Sequence, residues 1–503
     1  MSTVFSVRPC RPEARPAPEE QLSWALADLA ACDRPLDTDA AALVGCRLID
    51  NMAIAVASLD RSPVAAARAQ ALCFRREGGA RIVGLPVDLR ADCTWAAFAN
   101  ATAVRELDFH DSYFALDSSH PADCIMTLLA VAQQCGCTGD DLVRGILVSY
   151  EVQTALVRGL PLQHHRIDHV AHLGPAVAAG LGAMLRQPAS VIYEAVNLAA
   201  HLSLSTRQIR KGRISTWKAS APGHIGKCAI EALDRAMRGE TAPSPIYEGD
   251  YGILAVLLGG QDAEVTLPGQ GEPCHAILDT LPKTHSAGYH GQAIIDLALR
   301  LHGRLGDLDQ VEAITIHTKR MTHVVMGSGS GDPDKWDPRA SRETLDHSAP
   351  FQFARALVDG DWHHDRSYDP ALISDPAFVR LWGKVRTVED EEWNRRFAAA
   401  RPIDKDHGGR AVIRFADGRE LTEELAVADS HPRGAFPWGF EDYRRKFETL
   451  TEPFLSRDEG ERFVVAARDL AKLSTEEVRL LGVEADLRPP TEGAKGLLDR
   501  SPA

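Results

Sequence analysis

The sequence predicts a mainly α protein, a large all-helical domain into which a smaller α+β domain is inserted. Three observations predict it. Apolar residues recur at helical spacing from residue 19 to about 260, strand-like alternation is confined to the stretch after a Gly-rich break at Gly259 to Glu272, and helical periodicity returns from Phe440. The 503 residues leave room for both parts, and 45% hydrophobic with 6% aromatic is ordinary globular composition. The boundaries that follow are a flexible arm over 1–18, the helical domain over 19–268, the α+β domain over 269–432, and helices over 433–503 that rejoin the helical domain.

Met1 to Glu20 carries Arg8, Arg11 and Arg15 but also Glu13, four prolines and no apolar core segment. It reads as a loose arm rather than a signal peptide, with a cytoplasmic location as the default. Leu22, Ala25, Leu26 and Leu29 then fall on one helical face. Thr38 or Asp39 can cap a helix through Leu43, Val44, Leu48 and Met52, and Asp140 and Asp141 open one carrying Leu142, Ile146, Leu147 and Tyr150. Further helices are expected at about 94–106, 122–134, 170–186, 188–204 and 223–237; their Ala and Gly content suits close packing in a wide bundle. In the α+β part, Ala293 to Leu301 reads as a helix and Val311 to Thr318 as a strand. Ala411 to Phe415 and Glu420 to Ala426, joined by Asp417-Gly418, read as a hairpin. Gly327 to Gly331 reads as a surface loop, because no helical pattern follows it as a phosphate-binding turn requires. Phe440 to Phe454 and Arg462 to Leu481 close the chain as helices.

Charge narrows the function. With 56 Lys+Arg against 70 Asp+Glu the formal charge is −14, so no basic excess serves a nucleic-acid backbone. No run approaches eighteen uninterrupted apolar residues, so no membrane partner is expected either. Ten cysteines lack zinc or iron–sulfur spacing, Cys135 and Cys137 being the one close pair; they read as buried free thiols. No metal and no cofactor is expected.

Four stretches could carry chemistry. Between Glu194 and Glu231 no carboxylate occurs, while Arg207, Arg210, Lys211, Arg213, Lys218 and Lys227 supply six cations, the makings of a pocket for a small polyanion or else a solvated basic face. Glu106 to Ser112, with Asp108 and His110, followed by His120-Pro121, gathers titratable groups where one helix ends and the next begins. His164, His165, His169 and His172 offer an acid or base near neutrality; a metal pair at His165 and His169 is the alternative. Lys283-Thr284-His285-Ser286, at the entry to the α+β domain, places a lysine and a histidine where they could close on a ligand held by the other domain.

Together these stretches resemble the 2-methylcitrate dehydratase (MmgE/PrpD) family, which also contains cis-aconitate decarboxylase. The resemblance runs from Leu48-Ile49-Asp50-Asn51 to the C-terminal helices. It is carried by Glu106 to Ser112 with Ser119-His120-Pro121, by Asp168-His169-Val170 and Ser215 to Lys218, and by Pro243 to Gly249, Lys283 to Gln292 and Asp346-His347-Ser348. It implies an α+β lid over the helical domain, a homodimer, and an active site in the cleft between the domains. It also implies a place in the active site for Asp108, Ser112, His120, His169, Lys218 and Lys283, all but Ser112 in catalytic roles; Arg207, Arg210 and His285 are expected beside Ser112 on the substrate. One position departs: after Asp346-His347-Ser348, where the family commonly has an active-site tyrosine, this chain has Phe351.

The implied activity is dehydration of the small tricarboxylate 2-methylcitrate, and of citrate more slowly, to the corresponding aconitate. That reaction abstracts a weakly acidic proton beside a carboxylate and expels hydroxide. Cations must therefore stabilise an enediolate-like dianion while a histidine serves as base or acid. Decarboxylation of cis-aconitate, epimerisation of an amino-dicarboxylate and non-catalytic polycarboxylate binding stay open on the same residues.

Overall fold

The computed structural model describes residues 2–486 and 496–499. Asp37 starts a long buried helix of the larger domain. Its carboxylate accepts from Asp39 N (3.0 Å) and Ala40 N (2.9 Å) and so caps Thr38–Ala57; the cap lies one residue ahead of the expected Thr38 or Asp39. This helix is long and apolar enough to cross a membrane, yet 83% of its most apolar stretch is buried inside the protein. It is a core helix of the bundle.

Cys93–Glu106, Ile125–Cys135 and Gly139–Gly159 pack on it, and Leu22–Ala31, Leu173–Met184, Ala189–Leu202 and Trp217–Met237 extend the bundle outward from those. The close packing that small residues promised is visible between Gly139–Gly159 and Leu173–Met184. A Cβ on Gly180 would lie 2.6 Å from the Gly145 carbonyl oxygen, so those backbones touch. The helix expected from 223 begins already at Trp217, with Pro222 inside it. This earlier start places Lys218 in its first turn.

The larger domain also contains strands that helical periodicity does not reveal. The arm over 1–18 is not loose along its length: Thr3–Val7 pairs antiparallel with Ala263–Leu267, and Val7 is buried. Its Val-Phe-Ser-Val alternation carries that signal. Short pairs at Arg75–Arg81 with Arg90–Ala91, and Tyr113–Phe114 with Ser118–Ser119, complete the exceptions.

The smaller domain is a four-stranded sheet in the order Glu420–Leu425, Gly409–Phe415, Val311–Thr318, Val385–Glu389. The first three strands are antiparallel and the last is parallel to Val311–Thr318. Gln292–Leu301 and Ala349–Asp359 pack against it around a separate apolar core. The chain then returns: Phe440–Thr451 lies on Thr38–Ala57, with Lys446 Nζ 2.7 Å from Asp50 and Arg47 donating to the Tyr443 hydroxyl at 2.9 Å. The expected last helix, 462–481, is instead Arg457–Arg468 and Thr475–Leu480, the latter capped by Ser474.

Candidate active site between the two domains

The helix Cys93–Glu106 ends in a turn that leaves Asp108 at φ 49°, a left-handed conformation that Asp tolerates better than most side chains. The turn aims its carboxylate at two lysines from distant parts of the chain. Lys283 donates to Asp108 Oδ1 at 2.5 Å and to the Asp108 carbonyl at 2.8 Å, while Lys218 Nζ lies 3.0 Å from Oδ2. Lys218 also donates to both oxygens of Asp346 (2.9 and 2.8 Å), whose residue belongs to the smaller domain. Arg105 stands 3.8 Å from Asp108, and Arg342 3.5 Å from Asp346. All four members of the central quartet are buried.

This layer is electrostatically closed. Burial alone would raise Asp108, but Lys218, Lys283 and Arg105 outweigh it and hold the carboxyl well below its usual range. Asp346 is lowered likewise, burial being outweighed by Lys218 and His347, and burial lowers the Lys283 ammonium. Asp108, Asp346 and His347 also bring three potential metal-ligand atoms within 4.8 Å of one another. The Lys218 ammonium sits among those donors, 3.3 Å from His347 Nδ1, so the donor set is already matched to a cation of the chain itself.

In front of this layer a cavity opens, lined on the helical side by Ser119, His120, Gln163, His169, Arg207 and Arg210. The smaller domain contributes His290, His347, Met321, Val325, Met326 and Phe397. His120 is oriented unambiguously. Its Nδ1 lies 2.7 Å from the Asp111 carbonyl, which can only accept, so Nδ1 carries the proton; Ser112 Oγ is 3.1 Å from the same nitrogen. Nε2 is then the bare lone pair. Burial, reinforced by Arg105 and Lys283, holds this imidazole well below its ordinary pKa and therefore neutral.

His169 differs. Arg210 donates toward its Nε2 at 3.4 Å, so that lone pair is occupied, and burial brings its pKa down to about 3. Arg210 is itself held by Asp168, at 2.7 and 3.2 Å. His347 hydrogen-bonds Asp346 through Nδ1, while its Nε2 lies 3.6 Å from Asp108 Oδ2; burial, followed by Lys218, lowers it to about 4. Arg207 donates to the Gln163 side-chain oxygen and has no ion pair among the described residues. Burial accordingly lowers its pKa. Asp117, on the same rim, is pushed up to about 6 by burial despite hydrogen bonds from Gln163 and Ser118.

The structure therefore gathers Asp108, Ser112, His120, His169, Arg207, Arg210, Lys218 and Lys283 into one region, but in two layers. The lysines lie behind the imidazoles rather than on the cavity. His285 is not brought to it: its Nε2 is bonded to Asp296 at 2.7 Å, facing the helix Gln292–Leu301. Of the basic segment, Lys211 reaches the Ser330 carbonyl at the surface and Lys227 stacks on Trp95. His164 and His165 stay outside, and His172 turns to the Leu160 carbonyl. His290, His347, Gln163 and Asp117 line the cavity without having been singled out. The first two sit inside quoted motifs, Lys283 to Gln292 and Asp346-His347-Ser348, and that was their signal. Phe351 points away, into the core of the smaller domain, with the Trp382 and Tyr368 rings 5.4 and 5.8 Å off.

Comparison with known proteins finds a matching family. Residues 20–266 match the MmgE/PrpD N-terminal domain and residues 285–472 the MmgE/PrpD C-terminal domain. The chain is 26% identical to the mitochondrial 2-methylcitrate dehydratase of Yarrowia lipolytica over 363 residues, 69% of this chain and 67% of that one. It is 23% identical to the 2-methylcitrate dehydratase of Salmonella typhi over 415 residues, 78% of this chain and 82% of the relative. Cis-aconitate decarboxylase of Mus musculus is 24% identical over 415 residues, 77% of each chain.

Proposed function

Because the chain belongs to the MmgE/PrpD family, we propose that it is a hydro-lyase that removes water from a hydroxy-polycarboxylate of the 2-methylcitrate kind, giving the corresponding unsaturated acid. The observation that carries this reading is the state of His120: a neutral imidazole with Nδ1–H committed to a carbonyl and a bare Nε2, standing in front of a buried layer of cations.

In the proposed reaction His120 Nε2 takes the proton from the carbon beside a carboxylate. The electron pair of that C–H bond becomes the new C=C bond, the C–O bond breaks, and the departing hydroxide takes a proton and leaves as water. His347 could supply that proton only in its charged form, which Asp346 and Asp108 beside its ring and an incoming anion favour against the burial that keeps the imidazole neutral in the empty site. Arg207, with Arg210, would hold a carboxylate. Lys218, Lys283 and Arg105 would act through their fixed field, stabilising the dianionic transition state from behind without reorganising.

Purified protein treated with chelator should convert 2-methylcitrate to a product with the ultraviolet absorbance of a conjugated acid, and His120→Gln should slow it by about 10²–10⁴-fold. Loss of turnover on chelation would count against the reading. The resemblance to a cis-aconitate decarboxylase supplies the second reading, and carbon dioxide release from cis-aconitate would favour it.

A further inference from the structure

The two walls of the cavity differ in a way that bears on which acid it accepts. On the helical side the cations are almost all answered within the chain. Arg210 is paired to Asp168, Lys218 to Asp346 and Asp108, and Lys283 to Asp108. Arg207 is the cavity-lining cation that has no ion pair among the described residues, and Asp117 stands near it with a carboxyl of its own. A triacid brings three negative charges into this space. Each needs a charge-assisted donor to offset its loss of water.

The wall from the smaller domain brings no Lys or Arg to the cavity among the described residues; its polar groups are the imidazoles of His290 and His347, and most of the rest of it is apolar. The helix Arg320–Val325 and its C-terminal cap present Met321, Val325 and Met326, and Phe397 closes the same side from the end of Glu391–Phe397. Met321, Val325 and Phe397 are only partly buried, so they leave apolar surface facing the cavity. Phe114 reaches in from the helical side. A carboxylate pressed against thioether, isopropyl and phenyl groups would be desolvated without a partner, whereas an alkyl or aryl group would be favoured there.

Resting on the hydro-lyase reading, we infer that the preferred substrate is a 2-hydroxy dicarboxylate whose third arm is apolar, with its carboxylates toward Arg207, Arg210 and His120 and its arm against Met321, Val325, Met326 and Phe397. The elimination is unchanged in atoms and electrons; only the group carried through it differs. Each methylene added to the arm is expected to tighten binding by about three- to fourfold until the wall is filled.

The full chain would be assayed side by side on citrate, 2-methylcitrate, 2-isopropylmalate and 2-benzylmalate, with calorimetric binding of each. We expect kcat/KM for 2-isopropylmalate to exceed that for citrate by at least about tenfold. Met321→Lys, at a partly exposed position, should reverse much of that preference by giving a third carboxylate its cation. Turnover of citrate as fast as 2-isopropylmalate would overturn the inference and leave the lyase reading standing. Absence of any turnover, with calorimetry still ranking 2-isopropylmalate above citrate, would overturn the lyase reading and support the ligand class. Equal affinities for all four acids would overturn the inference whatever the turnover.

Discussion

The layer behind the cavity and the face that lines it are built from the same kinds of side chain under opposite constraints. Behind, Asp108, Asp346, Lys218 and Lys283 answer one another's charges at 2.5 to 3.0 Å. At the face, His120 keeps an uncommitted Nε2, and Arg207, bonded to Gln163, has no ion pair among the described residues. The difference separates two duties. A closed layer holds the geometry and supplies a fixed field, while the open face keeps the lone pair and the cation that a substrate can engage.

The sharpest way to break this distinction is Lys218→Met. It leaves two buried carboxylates facing each other without their shared cation, at a cost of about 3–5 kcal/mol, and turnover should vanish with it. Denaturant unfolding checks the first part. Adding Asp346→Asn should recover part of the stability and none of the activity; an unchanged midpoint in the single variant would show that the layer is not closed. His120→Gln should behave the other way. It lowers kcat by about 10²–10⁴-fold and leaves the unfolding midpoint nearly where it was, because the amide can still donate to the Asp111 carbonyl.

A smaller effect follows from the imidazoles themselves. His120, His169 and His347 all have folded pKa values depressed below their unfolded ones, the last two to about 3 and about 4. Below the unfolded value, near pH 6.5, the unfolded chain binds protons that the native site refuses. Stability contributed by these groups is therefore complete above that pH and is lost progressively as pH falls toward about 4, by about 1.4 kcal/mol per imidazole at pH 5.5. Unfolding midpoints at pH 7.5 and 5.5 measure it, and His169→Gln should flatten the dependence.

How far this comparison was legible in the sequence depends on the residue. The α-rich architecture follows from periodicity, and Asp108, Lys218 and Lys283 stand in stretches whose composition or resemblance marked them. That Lys218 would be neutralised by Asp346, 128 residues later, was not readable, since ion pairing across domains leaves no local pattern. His285 shows the same limit: one stretch holds it and His290, and only tertiary packing turns the former to Asp296 and the latter to the cavity. The strand Val385–Glu389 was missed for a related reason, because its alternation is short and its pairing with Val311–Thr318 is parallel and non-local. The His120 tautomer, on which its proposed role as base rests, is set by the Asp111 carbonyl, a contact that no local sequence pattern carries.

The smallest expected effect concerns Phe351, where the family's tyrosine would put a hydroxyl. If that position faced the cavity, Phe351→Tyr would restore a proton donor and raise turnover. Here the ring is fully buried within an aromatic cluster, Trp362, Tyr368, Phe378 and Trp382 standing 5.4 to 6.3 Å away, and the one hydroxyl among them, on Tyr368, is spent on the Ser286 carbonyl at 2.6 Å. A second hydroxyl would enter this core without a partner. The variant should lose about 1–3 kcal/mol with kcat unchanged, so that stability drops in the smaller domain while the face of the cavity keeps its chemistry. A gain in kcat at unchanged stability would mean that this position belongs to the open face after all.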